Sequence, residues 1–238
     1  MNTLPRRAVA EFVGTAFLLA VVVGSGIMGE TLANGDVAMA LLANTIATGA
    51  GLLALILAFG PVSGAHFNPA VTIADAIAKG LPWRDLPVYW GAQVLGGLAG
   101  VAAAHVMFGE EAVFFASEKV RTGPSQWFAE VVATFGLLAV IWGCVRSRND
   151  SVAFAVGAYI TAAYWFTSST SFANPAVTIA RTASDTFAGI RPLDAPAFII
   201  AQFVGAIAAT LLFLWLVPTL EESAPDVVMP HEDDAAPG

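Results

Sequence analysis

Two asparagines and two glutamates are the residues whose setting could do chemistry. Asn68 and Asn174 each open the string Asn-Pro-Ala-Val-Thr-Ile-Ala, as Asn68–Ala74 and again, 106 positions on, as Asn174–Ala180. Asparagine is a strong helix N-cap, and proline is favoured at the first helical position because its missing N–H needs no partner there. Asn68-Pro69-Ala70 and Asn174-Pro175-Ala176 therefore each mark the start of a helix. Each start carries about half a positive charge, and the asparagine amides add N–H donors beside it. Such a pair can hold a hydroxyl oxygen and repel a cation. Glu11 and Glu130 follow Ala10 and Ala129 inside apolar runs. A carboxylate in that setting serves either a proton relay or the N–H groups of an irregular loop.

The elements that position these groups lie in a membrane. Of 238 residues, 57% are hydrophobic and 12% charged, against about 25% charged in a soluble domain. Mean hydropathy is +0.74. The net charge is −8, but Glu221, Glu222, Asp226, Glu232, Asp233 and Asp234 all follow Val217. Residues 218–238 read as an acidic, disordered cytoplasmic tail. Residues 1–7 read as a basic cytoplasmic start that is retained, not cleaved. Cys144 is the single cysteine, which excludes an intrachain disulfide and a cysteine-built metal cage. No metal, cofactor or nucleic-acid partner is expected.

A bilayer core of about 30 Å takes about 20 apolar residues in a helix. Six stretches qualify: Ala8–Met28, Ala38–Phe59, Leu86–Met107, Trp127–Val145, Val152–Thr167 and Ala195–Val217. Two more, Pro69–Lys79 and Pro175–Thr186, suffice for about half a membrane. The loop Phe108–Ser125 is the longest, and Phe114 and Phe115 in it are expected on the membrane surface.

The repeat is wider than its seven residues. Ala10-Glu11 and Thr15 recur as Ala129-Glu130 and Thr134. Asp85, Pro87, Tyr89 and Gln93 recur as Asp194, Pro196, Phe198 and Gln202. The channel domain, 8–217, thus divides into repeats at about 8–108 and 125–217. Each has three spans and a half-helix, and three is odd, so the halves insert in opposite directions. The fold class is all-α integral membrane, with six transmembrane helices and two re-entrant half-helices in an inverted repeat and a site at the midplane. With both termini cytoplasmic, the inside receives Arg6, Arg7, Lys79, Arg84, Arg146 and Arg148. The outside receives Lys119, Arg121, Arg181 and Arg191, a bias of the positive-inside sign.

Irregular backbone at membrane depth survives only in protein or beside a water-filled cavity. Gly64, Ala65 and His66, with Thr170, Ser171 and Phe172, are expected to line such a cavity with carbonyls. His66 reads as a pH gate or as a loop brace. Gln93 and Gln202 are expected to bond loop carbonyls. Gly14, Gly49, Gly91, Gly97, Gly157 and Gly205 are expected to admit close helix approach.

The doubled Asn-Pro-Ala, Ser63-Gly64-Ala65-His66-Phe67 before its first copy, and the buried Glu11 and Glu130 resemble the aquaporin and glycerol-facilitator family, the major intrinsic proteins. The resemblance covers Val9 to about Val217. It implies a passive channel, one pore per subunit, in a homotetramer in the cell's inner (plasma) membrane. It also favours the loop-bracing role for both glutamates.

That family sets selectivity with four residues outside the asparagine pair. Counted by its spacing, they fall here on Thr48, Ala162, Ser171 and Val177. This filter lacks the aromatic, histidine and arginine residues that the family's water and glycerol channels use. It implies a wider constriction, similar to a bacterial branch associated with arsenic resistance. Candidate solutes are glycerol and other polyols, urea, metalloid hydroxides such as arsenite, and methylated arsenicals, with water also passing. Arg181 lies one helical turn beyond Val177. It reads either as a displaced guard of the outer mouth or as a partner of Asp185, four residues on. A conventional water channel is the alternative. A secondary transporter and a closed-pore structural protein are less favoured.

Overall fold

The computed structural model describes residues 3–145 and 151–217. The acidic tail, Arg146 and Arg148 lie outside them. The described residues form eight α-helices, α1 Leu4–Ala33, α2 Val37–Ser63, α3 Pro69–Ile77, α4 Leu86–Phe108, α5 Pro124–Val145, α6 Val152–Phe166, α7 Pro175–Arg181 and α8 Ala195–Leu216, with a short 3-10 turn at Trp83–Asp85 before α4. Helices α1, α2, α4, α5 and α8 are long and apolar enough to cross a membrane, and α6, with 15 residues, is shorter.

The distribution of side chains is that of a lipid-immersed protein. Glu11, Gln93, Glu130 and Gln202 are wholly buried, whereas Phe128, Ile200 and Trp215 are largely exposed. In water such a surface would drive association. In lipid it costs nothing, and each of the two glutamates bonds its glutamine inside.

The caps follow the sequence signals. Asp36 accepts from Ala38 N and Met39 N to start α2. Asn68 accepts from Ala70 N at 2.9 Å, and Asn174 from Ala176 N at 2.9 Å and Val177 N at 3.2 Å. Both half-helices are shorter than expected. α3 stops after 9 residues, where Lys79 takes a positive φ of 68° and Gly80 N bonds back to Asp75 O. α7 stops after 7, where Thr182 and Ala183 tighten the last turn onto Ile179 and Ala180. At about 1.5 Å per residue these are roughly two to two and a half turns, about 10–14 Å long.

The two repeats pack alike. α1 packs on α2 and α4 as α5 packs on α6 and α8, and α2 meets α6 across the halves. Close approach is symmetric too. A Cβ on Gly96 would lie 2.3 Å from Phe12 O, and one on Gly205 would lie 2.4 Å from Val131 O. Either methyl would force α4 off α1, or α8 off α5. Gly91, by contrast, has nothing within 4 Å of such a Cβ. It faces outward and mediates no approach within the chain.

Candidate functional site

The two half-helices meet by their N-termini. Asn68 Nδ2 donates to Ala173 O at 2.7 Å, and Asn174 Nδ2 donates to Phe67 O at 2.7 Å. Each asparagine thus caps its own helix with its oxygen and ties down the other loop with its nitrogen. An amide carries two N–H donors, so one on each is left for whatever lies beside it.

The loops before these helices are strained and braced. Ala65, Phe67, Ser171 and Ala173 have φ near 50°, a left-handed conformation that is uncommon for residues other than glycine. Glu11 holds the first loop: it accepts from Ser63 Oγ and His66 N on one oxygen and from Phe67 N and Gln93 Nε2 on the other. Glu130 holds the second, accepting from Phe172 N, Ala173 N and Gln202 Nε2. These bonds occupy the acceptor sites that a relay would need free. Gln93 and Gln202 do not bond loop carbonyls. Each bridges its glutamate to a half-helix threonine, Thr72 or Thr178, at 2.9 Å. Each glutamine amide shares one carboxylate oxygen with a loop N–H, Phe67 N on Glu11 Oε2 and Ala173 N on Glu130 Oε2, so its N–H groups are spent on acceptors other than the loop carbonyls.

His66 has one ring nitrogen within hydrogen-bond reach of a side chain and the other just beyond it. Its Nδ1 lies 3.2 Å from Thr72 Oγ1, and its Nε2 lies 3.6 Å from Asp75 Oδ2. Its ring tilts against Tyr89 at 5.3 Å, as Phe172 does against Phe198 at 5.3 Å in the other half. Asp75 and Tyr89 were not read as partners from the sequence; the repeat spacing that pairs Tyr89 with Phe198 carried the signal.

A cavity of about 500 Å³ runs past both asparagines. Leu18, Leu52, Ile56, Leu137, Ile141 and Val156 form its apolar wall. Carbonyl-bearing Gly64, Ala65 and His66 line it on one side, and Ser171 and Phe172 on the other. Thr170 lies off this wall: its N–H bonds back to Thr167 O, and its hydroxyl accepts from Arg121.

Of the four counted filter positions, Thr48, Ser171 and Val177 line the cavity. Ala162 does not. It is exposed on the outer face of α6, roughly 200° around the helix from Ile160 and Tyr164, which do line the cavity. Tyr164 takes the inward position, and its hydroxyl donates to Thr48 Oγ1 at 3.3 Å. The wall therefore does contain an aromatic residue. A count from Asn174 fixes a register only if the intervening turn keeps its length, and the turn after α6 is short and irregular.

Arg181 also lines the cavity. Its Nε donates to Ala188 O, and its Cζ sits 3.4 Å from the centre of the Phe172 ring. Asp185 is not its partner: that carboxylate accepts from Ser117 Oγ and Glu118 N of the long loop. The same loop holds Phe115, which stacks on His105 at 4.7 Å instead of lying on the membrane surface, while Phe114 is exposed.

A buried polar seam through an apolar helical body, closed at its centre by two crossed asparagines, defines an integral membrane channel. Comparison with known proteins narrows the class. The family model described as Major intrinsic protein matches residues 2–153 and 145–234, and the chain belongs to that family. It is a multi-pass channel for small uncharged solutes and not an enzyme.

The chain is 52% identical to "Aquaglyceroporin AqpS" of Rhizobium meliloti (strain 1021) over 227 residues, 94% of this chain and 97% of that protein. It is 36% identical to "Aquaporin NIP6-1" of Arabidopsis thaliana over 66% of this chain and 52% of that protein. The solved aquaglyceroporin from Plasmodium falciparum matches with a TM-score of 0.70 at 21% identity, covering 92% of this chain and 100% of that one, a likeness of fold.

Proposed function

We propose that the chain is a passive, widened channel of the aquaglyceroporin type. Its solutes are small neutral hydrogen-bonding compounds: glycerol and related polyols, urea, and metalloid hydroxides such as arsenite. The observation that carries this reading is the pair Val177 and Arg181. An isopropyl group stands where the resemblance expects a guanidinium. The nearest guanidinium sits one turn outward, drawn aside by Ala188 O and the Phe172 ring. Thr48, Tyr164 and Ser171 add hydroxyls to that stretch of wall. A hydroxylated solute exchanges water for these oxygens, the loop carbonyls and the second N–H of each asparagine. The name of the Rhizobium relative supports the same solute class.

The protein is further proposed to work as a homotetramer in the inner (plasma) membrane with both termini cytoplasmic, its six longer helices crossing and α3 and α7 meeting at the midplane. Stopped-flow light scattering of proteoliposomes, under glycerol, urea, arsenite and water gradients, tests the solute reading. Fast solute flux that falls in Val177→Arg while water flux persists is the expected result. Fast water flux with no solute flux would make this a conventional water channel. Uphill solute movement driven by an ion gradient would make it a transporter.

A further inference from the structure

Arg181 stands on the cavity wall, and two loop cations, Arg121 and Lys119, cluster behind it with no ion-paired carboxylate among the described residues. Arg181 lies on the wall, 3.4 Å from the Phe172 ring centre, and Arg121 lies 5.1 Å from the same centre. Arg121 comes from the loop that joins the repeats. Its Nε donates to Gly189 O at 2.8 Å; its Nη1 reaches Ser169 O and Thr170 Oγ1, and its Nη2 Phe187 O, at 3.4 Å each. Lys119, from the same loop, donates to Phe187 O at 2.7 Å and lies 4.5 Å from the Phe187 ring.

Every acceptor in this cluster is neutral. Among the described residues, no carboxylate lies within 4.0 Å of Lys119, Arg121 or Arg181. Asp185 is engaged by Ser117 and Glu118, Asp194 by Arg191 and the Arg121 backbone N–H, and Glu130 by the second re-entrant loop; Glu30 and Asp185 act on Lys119 only at longer range, without an ion pair. Carbonyls and a ring face orient guanidinium groups, but they do not cancel charge. The loop is also fixed in place. Phe115 N and Ser117 N bond Ala183 O and Thr182 O, and Lys119 O accepts from Arg191 N.

Resting on the channel reading above, we propose that Arg121, assisted by Lys119, is a specificity-determining residue: with Arg181 it forms a cationic collar at the outer mouth that excludes cations. The collar stands in for the charge missing at Val177, and it is supplied largely from a connecting loop instead of a pore helix. Neutral solutes pass it because it narrows nothing at the asparagine pair. Burial and the two neighbouring guanidiniums hold the Lys119 ammonium down to about 8, in keeping with a cluster of like charge.

The test uses purified full-length protein in liposomes, with potassium efflux under a valinomycin-free gradient and glycerol flux read on the same preparation. In Arg121→Gln, potassium permeability rises about tenfold or more, as removal of roughly 1.4 kcal/mol of barrier would give, while glycerol flux stays. Arg121→Lys restores exclusion, which a purely structural role would not require. Intact glycerol flux with unchanged potassium permeability in Arg121→Gln overturns the collar and leaves the channel reading standing. Absent glycerol flux in the unmodified protein overturns the channel reading itself. If Arg121→Gln cannot be purified in monodisperse form, Lys119→Met decides: a raised potassium leak supports the collar, and an unchanged one overturns it.

Discussion

Asp75 and Arg181 occupy the same place in the two repeats, 106 positions apart, and carry opposite charge. Asp75 lies 3.6 Å from the His66 ring nitrogen, and Arg181 lies 3.4 Å from the centre of the Phe172 ring. His66 and Phe172 are equivalent by the same spacing. The pseudo-two-fold is thus kept in shape and broken in charge, an acid toward one face and a base toward the other. Only the base reaches the cavity wall.

That difference predicts an asymmetric response. Arg181→Gln raises ion leak in planar-bilayer recordings, because a fixed charge on the wall is lost. Asp75→Asn leaves both leak and glycerol flux near those of the unmodified protein. An equal leak in both variants would show that charge acts through the fold and not through the wall.

Tyr164 and Ala162 separate two registers of α6. Tyr164→Ala removes a ring from the wall together with its bond to Thr48, so flux of polyols larger than glycerol rises several-fold. Ala162→Trp adds a ring on the exposed face and leaves solute flux unchanged. Sized-polyol permeability in liposomes checks both, and reduced flux in Ala162→Trp would restore the counted filter.

The asparagine pair has its own prediction. Asn68→Ala and Asn174→Ala each lose a cap worth about 1 kcal/mol and a cross-loop bond of similar size. Both variants melt at lower temperature in detergent and lose solute flux. The double variant loses less than the sum in melting temperature, since the two bonds share one joint.

Lys119 gives a pH dependence. Its amine is held to about 8, against an ordinary 10.5, chiefly by burial. Between those values the unfolded chain binds the proton and the folded chain does not, so stability rises with pH. Below pH 8 the penalty is constant. The melting-temperature advantage of Lys119→Met over the unmodified protein is therefore largest at neutral pH and shrinks between about pH 8 and 10.5. A gap that stays constant across that window would rule out titration of Lys119.

How much of this could be read from residues alone depended on whether the signal was local. Asn68-Pro69 and Asn174-Pro175 encode their own caps, so the half-helix starts fell where the sequence puts them. Glu11 and Glu130 stood out because the repeat doubled the signal, but the residues alone left relay and brace open, and it was the family resemblance that favoured the brace. The ends of α3 and α7 were not: a left-handed Lys79 and a tightened turn at Thr182 depend on what packs around them. Tyr164 was missed because a count across an irregular turn slipped by two residues, and two residues on a helix exchange the inner and outer faces. Arg121 was missed because loop-to-loop contacts leave no periodic trace. Asp75 could have been found by carrying the spacing of the repeat from Arg181 back into the first half.

The crossed asparagine bonds also bear on how the protein is made. Phe67 O and Asn68 Nδ2 find their partners, Asn174 and Ala173, in chain that is synthesised about 106 residues later. At about 5–20 residues per second, the first re-entrant loop waits several seconds or more in the membrane with these groups unmatched. During that wait it depends on Glu11 and Gln93, which emerge from the same half. An early, self-sufficient brace and a late, reciprocal lock divide the work of assembly. Nascent first halves should therefore need shelter by the insertion machinery until α7 arrives.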